Sequence, residues 1–394
     1  MRRDRPVLLY VVNVAWFFTS HRLPVALAAR EAGYDIHVAA GTESAADTTA
    51  IQNAGFCFHY LRSVRGDGGL VTNLLTLWDL ARVIWRVRPD MIHAITAKPI
   101  ILAGILRRWF GVPAFVGAMT GLGYLFIEES RRRITRATVV RAMRVALGGR
   151  HARLIVQNSH DAELLAGVKA VHRSRLVLIP GSGVDLKAFR PSGEPNGVPV
   201  VVLPARMLKD KGVVEFCAAA TALRREGLRA HFKLAGGLDP HNPAALSEVE
   251  LRTLTEEAGV EWLGHVDDMP ALFRSCHVVC LPSYREGFSK VLIEAAASQR
   301  ALLTTDVPGC RDVVRHEVDG LLVPARDAEA LARALRLLLT DAALRLRLAT
   351  AAARRAREEF DVRRVCVETL RCYASVCQHR AVAVTGGDAR SGRG

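Results

Sequence analysis

The sequence predicts two α/β domains, each with a doubly wound parallel sheet, and three observations support this. The chain has 394 residues, more than one hydrophobic core usually serves. Short runs rich in Val, Ile and Leu recur along both halves, and helix-length amphipathic segments separate most of them. Between the two series lies RPSGEPNGVP (190–199), whose three prolines and two glycines indicate a linker.

The apolar runs predict six strands in the first half and five in the second. The first series is VLLYVVNV (7–14), IHVAA (36–40), MIHAI (91–95), VPAFVGA (112–118), LIVQ (154–157) and LVLI (176–179). The second is VVVLPA (200–205), HFKLAG (231–236), VVCLP (278–282), ALLTT (301–305) and GLLVP (320–324). Because the runs do not alternate with polar residues and hairpin signals are absent, both sheets are predicted to be parallel. Ligands of such sheets bind at the carboxyl ends of the strands, and those edges are expected to face each other across a cleft.

Four segments are expected along the chain. The two sheets predict domains at 1–190 and 191–360. A C-terminal helix at 361–380 is expected to pack back on the first domain. The last residues, 381–394, have the composition of a disordered tail.

The net charge of +15 is concentrated in the first half. Residues 1–190 hold 26 Lys and Arg against 13 Asp and Glu, whereas the remainder holds 28 against 26. Such a field suits an anionic partner, either nucleic acid or an acidic membrane surface. The sequence has no groove-reading helix motif, RNP-like aromatic pattern or zinc module, which argues against nucleic acid.

The segment SRRRITRATVVRAMRVALGGRHAR (130–153) holds eight arginines and no acidic residue. As a helix it would carry an apolar band, as interfacial helices do, through Val139, Val140, Met143 and Leu147. We therefore expect the Arg131–Arg153 region to contact an anionic membrane surface. A second segment, ILRRWFG (105–111), places Trp109 and Phe110 beside two more arginines. In the alternative interpretation the band faces the core and the arginines only solvate the outside.

Cysteine usage and the N-terminus exclude some other classes. The eight cysteines include no CxxC pair, so neither a zinc site nor a disulfide framework is indicated, and reduced thiols in a cytosol fit best. The start of the chain, MRRDRPVLLYVVNVAWFF, is similar to a signal peptide but lacks a small-residue cleavage site, so a buried first strand is expected. No apolar run approaches the roughly 20 residues that cross a bilayer.

Two carboxylates follow a predicted strand in LPSYREGFSKVLIEAAA (281–297). A helical apolar stripe predicts a helix N-terminus beside Glu286, where electronegative ligand atoms bind. Glu294 would lie about 12 Å farther along a helix, at about 1.5 Å per residue, which is about the extent of a sugar nucleotide from hexose to ribose. Two interpretations stay open: an active site, or a Ser283–Glu286 capping box followed by an exposed Glu294.

Two cations follow the first strand of the second series in PARMLKDKGV (204–213). Arg206 and Lys211 are expected on the strand-to-helix loop, at the ligand-binding edge, where Gly212 permits close backbone approach. A diphosphate leaving group needs such cations because its charge grows as the glycosidic bond breaks. Surface cations near a helix start are the alternative interpretation.

Together these motifs resemble the retaining glycosyltransferases of family 4, which have the GT-B fold of two Rossmann-like domains. In the second half the resemblance rests on the order and spacing of ARMLKDKG (205–212), LGHVDDM (263–269) and SYREGFSKVLIEA (283–295). In the first half four segments are similar to the branch that builds bacterial capsular, O-antigen and related lipid-linked glycans: NVAWFFTSHRLPVALAAREAGYDIHVAA (13–40), IHAITAKPIILAG (92–104), GAMTGLGYLF (117–126) and LIPGSGVDLKAF (178–189). The resemblance covers residues 6–375.

The resemblance implies catalytic roles for Glu286, Arg206 and Lys211. The first domain would be the acceptor-side, membrane-facing domain, and the second would bind the nucleotide-sugar. Arg206 and Lys211 would hold the donor diphosphate. Glu286 would address the donor sugar with the help of neighbouring backbone N–H groups, those of Gly287, Phe288 and Ser289.

Further positions would bind the substrates. Glu294 would take the ribose hydroxyls, the base would lie near Val266, and Gly183 in PGSGVD (180–185) would border the cleft. Thr120 stands where many relatives have a histidine. A threonine is a poor general base, so its role would be hydrogen bonding to donor or acceptor. His93 is an alternative polar group, although a lone histidine at a strand end is more often structural.

A second departure from the family is the turn after the first strand. Many relatives have a Gly-Gly pair there that approaches the diphosphate, whereas this chain has Asn13, Val14 and Ala15.

The activity implied is transfer, with retention, of an N-acetylated or related hexose from a nucleotide donor, a UDP-sugar, to a lipid-linked acceptor in bacterial surface polysaccharide synthesis. In front-face transfer the departing diphosphate takes the acceptor proton, so no separate strong base is needed. No cofactor and no metal are expected, because Asp-x-Asp is absent and Asp267-Asp268 is expected to start a helix. The enzyme is expected in the cytoplasm, peripherally attached to the inner face of the plasma membrane.

Two other functions stay open. A nucleotide-sugar epimerase of similar fold would use the same cations without any acceptor. A non-enzymatic protein that binds anionic surfaces would need neither Glu286 nor Lys211 for its activity.

Overall fold

The computed structural model describes residues 5–63, 69–122, 133–240 and 242–377, and these form two parallel sheets covered by helices. The predicted α/β class with two doubly wound parallel sheets is therefore confirmed. Within these ranges, no helix combines the length and the apolar character needed to span a bilayer.

The first sheet has seven strands in the spatial order β3-β2-β1-β4-β5-β6-β7. They are β1 (Val7–Val14), β2 (Asp35–Gly41), β3 (Cys57–Tyr60), β4 (Met91–Ile95), β5 (Ala114–Met119), β6 (Ala152–Val156) and β7 (Leu176–Leu178). The connecting helices are α1 (Ala15–His21), α2 (Leu23–Glu31), α3 (Ala45–Asn53), α4 (Gly69–Val87), α5 (Ala97–Trp109), α6 (Arg133–Ala146) and α7 (Ser159–Gly167). Both faces of the sheet are buried, one under α4 to α7 and the other under α1 to α3.

The second sheet has six strands in the order β10-β9-β8-β11-β12-β13. They are β8 (Val200–Pro204), β9 (His231–Ala235), β10 (Glu261–Trp262), β11 (Val278–Leu281), β12 (Ala301–Thr305) and β13 (Leu321–Val323). The helices around it are α8 (Val213–Arg225), α9 (Glu248–Ala258), α10 (Met269–Arg274), α11 (Lys290–Ala297), α12 (Ala328–Thr340) and α13 (Ala342–Glu359). In each sheet the strand order reverses between the first and the fourth strand, β1 and β4 or β8 and β11, and such folds bind ligands at this point.

A last helix, α14 (Val362–Val376), returns to the first sheet. Val365, Cys372, Tyr373 and Val376 lie in the core beneath β1 and β4. The chain crosses over at Asp361, which forms a parallel bridge with Val184. We therefore propose domains at 1–190 and 191–360, followed by the C-terminal helix at 361–380. The predicted tail, 381–394, lies outside the described residues.

Of the four edge strands, the sequence predicts β7 and β13 but not β3 and β10. β3 is half exposed, so it lacks a continuous apolar run, and β10 has only two residues. Strands at a sheet edge have fewer buried side chains and therefore a weaker hydrophobic signal.

The apolar band predicted to contact a membrane lies inside the protein. Val140, Met143 and Leu147 are at most 9% exposed and pack in the core under α5, and Val139 packs against it. The predicted membrane contact of the band is therefore wrong, and the alternative interpretation, in which the band faces the core, is correct. Contact of an anionic surface with the arginines of the Arg131–Arg153 region stays a prediction. Residues 130–132 and the side chains of 133–136 lie outside the described part of the chain.

Candidate active site

Glu286 and Lys211 meet at the carboxyl edge of the second sheet. The Lys211 ammonium donates to Glu286 Oε1 at 2.6 Å, and the Ser283 hydroxyl donates to the same oxygen at 2.7 Å. Both side chains of the ion pair are less than one-fifth exposed. The structure therefore brings Lys211 and Glu286 together in a charge-assisted hydrogen bond at this edge of the sheet.

Gly212 brings the turn that carries Lys211 close to the loop after β11. A short 3-10 turn, Lys209–Lys211, follows β8, and Gly212 continues the chain with a φ of +75°. A Cβ added to Gly212 would lie 2.2 Å from the Pro282 carbonyl oxygen. The predicted close approach at Gly212 therefore exists, and the partner is backbone of this chain.

Arg206 lies on the same loop and pairs with the buried carboxylate of Asp239, while its own side chain is 45% exposed. Asp210 lies among the site charges: burial raises the pKa of its carboxyl, Lys211 and Arg206 oppose this rise, and Glu286 adds to it. The four charged groups, Arg206, Lys211, Asp210 and Glu286, therefore form one electrostatic cluster.

The helix starts later than predicted. α11 begins at Lys290, and Ser289 is its N-cap, with the Ser289 hydroxyl accepting from the Leu292 N–H. The capping box at Ser283–Glu286 is therefore wrong; those side chains bond to each other in a loop. Because that loop is not helical, the 12 Å estimate for the separation of the two carboxylates does not apply.

Two backbone N–H groups next to Glu286 stay available. The Ser289 N–H donates to the Gly309 carbonyl at 3.4 Å, so its predicted donation to a sugar is not supported. Across the described ranges, Gly287 and Phe288 donate no backbone hydrogen bond. The Phe288 ring packs in the core against Phe360.

Glu294 is buried in α11, with 6% of its surface exposed. Burial raises the pKa of its carboxyl, and Lys290, whose ammonium lies 3.2 Å from Glu294 Oε1, opposes the rise. The same ammonium donates to the Ser20 carbonyl of the first domain at 2.8 Å. The interpretation of Glu294 as an exposed helix residue is therefore wrong.

The first domain contacts the loop that carries Glu286 on both sides of that residue. Arg285 donates to Asp161 Oδ1 at 2.9 Å, and the Asn158 amide donates to the Gly287 carbonyl at 2.7 Å. A Cβ on Gly287 would lie 1.8 Å from the Thr120 carbonyl oxygen. The structure thus brings Thr120 to the loop, with its backbone as the part in contact.

The PGSGVD segment also meets this loop. A Cβ on Gly181 would lie 2.5 Å from the Phe288 ring. Gly183 has a φ of +75° and packs against Val362, the first residue of α14. Gly183 therefore lies at the junction of the two domains.

Two further candidates have different surroundings. Val266 is half-buried in the loop after β10 and packs against the second-domain core. His93 is fully buried in β4, its Nδ1 lies 2.6 Å from the Tyr373 hydroxyl, and burial lowers the pKa of its ring well below the usual value. The prediction of His93 as a substrate-binding group is therefore corrected: it is a neutral core residue.

The turn after β1 has polar contacts of its own. The Asn13 amide donates to the Thr96 hydroxyl at 3.0 Å. Thr96 has a φ of +73°, a region that residues with a Cβ rarely adopt. In place of a glycine pair, this chain has a side-chain contact between β1 and β4 at the carboxyl edge.

Sequence reasoning missed Asp210, Lys290, Asn158 and Asp161. Lys290 had a usable signal, its i,i+4 spacing to Glu294. Asn158 follows β6 directly and is the N-cap of α7, a pattern visible in VQNSHD (156–161). Asp161 pairs with Arg285, which is 124 residues away, so no local pattern marks it. Asp210 is set apart by its burial and by the nearby Glu286, and neither is visible in the local sequence.

Two family models match the chain. One, described as "Glycosyl transferase 4-like", matches residues 7–159, and the other, "Glycosyl transferases group 1", matches residues 198–341. Each match covers most of one of the two sheets.

Individual proteins are similar over most of the chain. The N,N'-diacetylbacillosaminyl-diphospho-undecaprenol alpha-1,3-N-acetylgalactosaminyltransferase of Campylobacter jejuni is 29% identical over 320 residues, which are 78% of this chain and 82% of that protein. The UDP-Gal:alpha-D-GlcNAc-diphosphoundecaprenol alpha-1,3-galactosyltransferase of Escherichia coli is 24% identical over 68% of this chain and 70% of its own. HepE of Anabaena, solved with UDP and glucose, covers 93% of this chain and 99% of its own with a TM-score of 0.76 at 19% identity, a likeness of fold. The chain therefore belongs to the glycosyltransferase family that the two models describe, and it has the GT-B fold.

Proposed function

We propose that this glycosyltransferase moves a sugar, with retention, from a UDP-sugar to a lipid-linked acceptor in the synthesis of a bacterial surface polysaccharide. The observation that carries the proposal is the Lys211–Glu286 pair at the carboxyl edge of the second sheet, next to Gly287, whose backbone lies against Thr120 of the first domain. A cation and a carboxylate in one interdomain cleft suit a ligand with both a diphosphate and sugar hydroxyls.

The names of similar proteins support the choice of substrates. The Campylobacter jejuni and Escherichia coli relatives act on undecaprenol-diphosphate-linked sugars, and the name of the second specifies UDP-Gal as its donor. An N-acetylated or related hexose is the donor sugar that we propose here. The acceptor lipid would hold the enzyme at the inner face of the plasma membrane.

Lys211 and Arg206 are proposed to bind the donor diphosphate. Negative charge develops on the leaving diphosphate as the glycosidic bond breaks, and cations already in position stabilise that charge without reorganisation. Arg206 is 45% exposed despite its pairing with Asp239, so part of its guanidinium can turn to a ligand. In front-face transfer a diphosphate oxygen takes the proton of the acceptor hydroxyl, and no metal or separate base is invoked.

Glu286 is proposed to bind the donor sugar. Lys211 and Ser283 both donate to its Oε1. Among the described residues nothing donates to Oε2, which leaves this oxygen for a sugar hydroxyl, beside the N–H groups of Gly287 and Phe288. Glu294, one helical turn past Lys290, is proposed to take the ribose hydroxyls, and Val266 to line the base.

The test is a transfer assay with UDP-, GDP- and dTDP-sugars, with and without an undecaprenyl-diphosphate-linked acceptor. We expect a product only with UDP-sugar and acceptor together, and NMR of the new linkage should show the anomeric configuration of the donor. Conversion of the donor sugar without acceptor would instead support the epimerase.

Two matched carboxylate variants test whether Glu286 is needed for transfer. Glu286→Gln removes one negative charge at the cleft and is expected to lower kcat by about 100-fold or more. Glu248→Gln removes an exposed carboxylate at the start of α9 and should leave kcat unchanged. Equal kcat values for the two variants would contradict the proposed site. The non-enzymatic alternative instead predicts no transfer by the unaltered protein with any donor and acceptor.

A further inference from the structure

Helix α4 carries apolar side chains on the side opposite to the core. Its inner side places Leu80, Val83, Ile84 and Val87 in the core of the first sheet. Its outer side exposes Val71, Leu74, Leu75, Trp78 and Trp85. At about 100° per residue these five side chains fall within an arc of about 120°, which also contains Arg82 and Arg86. These seven residues are called the α4 face below.

The α4 face is both apolar and cationic. Trp78 is 67% exposed and Trp85 is 61% exposed, an unusual amount of indole surface in water. The one acidic residue of α4, Asp79, accepts two bonds from the Arg62 guanidinium, at 2.9 and 2.7 Å. Asp79 therefore pairs first with Arg62, and its electrostatic interaction with Arg82 is weaker, so the α4 face keeps a net positive charge.

The exposed apolar surface continues onto the end of α5. Trp85, Arg88 and Phe110 line a common groove of about 310 Å³. Trp109, beside Phe110, is 78% exposed. Trp85, Arg88 and Phe110 thus connect the outer side of α4 to the end of α5, where Trp109 is exposed.

We propose that the α4 face, together with Trp109 and Phe110, docks on a bilayer that contains anionic phospholipid. Tryptophan suits the boundary between headgroups and acyl chains because its ring is apolar and its N–H is polar. Arginines between the indoles complement the negative charge of lipid phosphates. An interfacial helix of this kind lies in the plane of the membrane, with its apolar side toward the acyl chains.

The position of α4 relates this surface to the cleft, and this step rests on the proposed function. α4 follows β3, so its first turn, with Val71 and Leu74, lies at the carboxyl edge of the sheet. That edge faces the second domain, as the contact between Thr120 and Gly287 shows. A bilayer along α4 therefore meets the cleft opening, where an acceptor diphosphate anchored in lipid would enter.

Flotation with lipid vesicles tests the docking without donor or acceptor. The full chain is expected to float with phosphatidylglycerol vesicles and to bind phosphatidylcholine vesicles more weakly. The double variant Trp78→Ala/Trp85→Ala should lower partitioning to anionic vesicles by about tenfold or more. Arg82→Gln/Arg86→Gln should reduce the preference for the anionic lipid and its sensitivity to salt.

The matched control is Val249→Ala/Leu346→Ala, which removes exposed apolar groups from the second domain and should float like the unaltered chain. Equal flotation of the tryptophan variant and the control would overturn the proposal, as would an absence of vesicle binding by the unaltered chain. Sedimentation without lipid tests whether a second copy of the chain binds the α4 face instead. A dimer that the tryptophan variant abolishes would show that this face is a dimer interface and would overturn the proposal. Transfer to a water-soluble acceptor analogue reports on the proposed function separately, because docking is not needed there.

Discussion

At the scale of single residues, burial has a clear effect on the pKa of Glu294. Burial raises the pKa of the Glu294 carboxyl, with Lys290 opposing, and the side chain is nearly inaccessible to water. A carboxyl with a raised pKa in the folded state binds its proton more tightly there than in the unfolded chain. Its contribution to stability is therefore greatest at low pH and falls as the pH rises through the folded pKa.

This sign gives a prediction for Glu294→Gln. The free energy of unfolding of the unaltered protein should fall relative to that of the variant as the pH rises above about 4.5, the ordinary pKa of a glutamate, because only the unaltered protein must bury a charge there. Urea unfolding at several pH values measures the difference. A difference that does not change with pH would show that the Glu294 carboxyl has an ordinary pKa. In the transfer assay the same variant should raise KM for the donor more than it lowers kcat.

The Tyr373 hydroxyl is hydrogen-bonded to two buried polar groups. It lies 2.6 Å from His93 Nδ1 and 2.9 Å from the Tyr10 hydroxyl. Tyr373→Phe leaves both groups buried with one partner fewer, which is expected to cost about 1–3 kcal/mol of stability without lowering kcat. Thermal unfolding measures this loss, and Tyr60→Phe, at an exposed position, is the control. If Tyr373→Phe stays folded but loses kcat, the assignment of His93 as a core residue outside the active site is contradicted.

At the scale of elements, the loop of residues 283–289 is held from both domains. Arg285 pairs with Asp161, which is 2% exposed, and Asn158 binds the Gly287 carbonyl. These contacts lie directly on either side of Glu286. We therefore infer that contacts from the first domain position the Glu286 carboxylate.

A double-mutant cycle with Arg285→Ala and Asp161→Ala measures this contact. The coupling energy is expected to be about 1–3 kcal/mol, because the carboxylate loses its cation in a poorly hydrated place. The exposed pair Arg336–Glu226 is the matched control and should couple by less than about 1 kcal/mol. The inference fails if the two coupling energies are equal. Loss of the contact should also lower kcat, whereas breaking the control pair should not.

Elements with a strong local signal could be predicted from the sequence. The runs at 7–14, 91–95 and 301–305 coincide with strands because a strand buried on both faces is apolar throughout. The start of α10 at Asp268 was also visible, and Asp268 indeed accepts from the Ala271 N–H. The start of α11 was placed too early, because Ser283 and Ser289 are equally good caps and only tertiary contacts choose between them.

At the scale of the whole molecule, the sequence does not reveal which apolar side of a helix is buried and which is exposed. In α6 and α4 apolar residues and arginines are both present, but α6 buries its apolar band and α4 leaves one exposed. Which side of a helix faces the core depends on its neighbours in the fold. Lys211 and Glu286 are 75 residues apart, and their pairing follows from the adjacency of β8 and β11.

We infer that Lys211 faces the donor diphosphate across the cleft from the first domain. Calorimetric titration of UDP into the full chain measures this contact, with Lys209→Ala as the control, since that exposed lysine lies on the same turn and pairs with Glu250. We predict that Lys211→Ala weakens UDP binding by about tenfold or more, as loss of a charge-assisted hydrogen bond does, and that Lys209→Ala leaves it unchanged. UDP affinity that is the same in both variants and the unaltered protein would contradict the account.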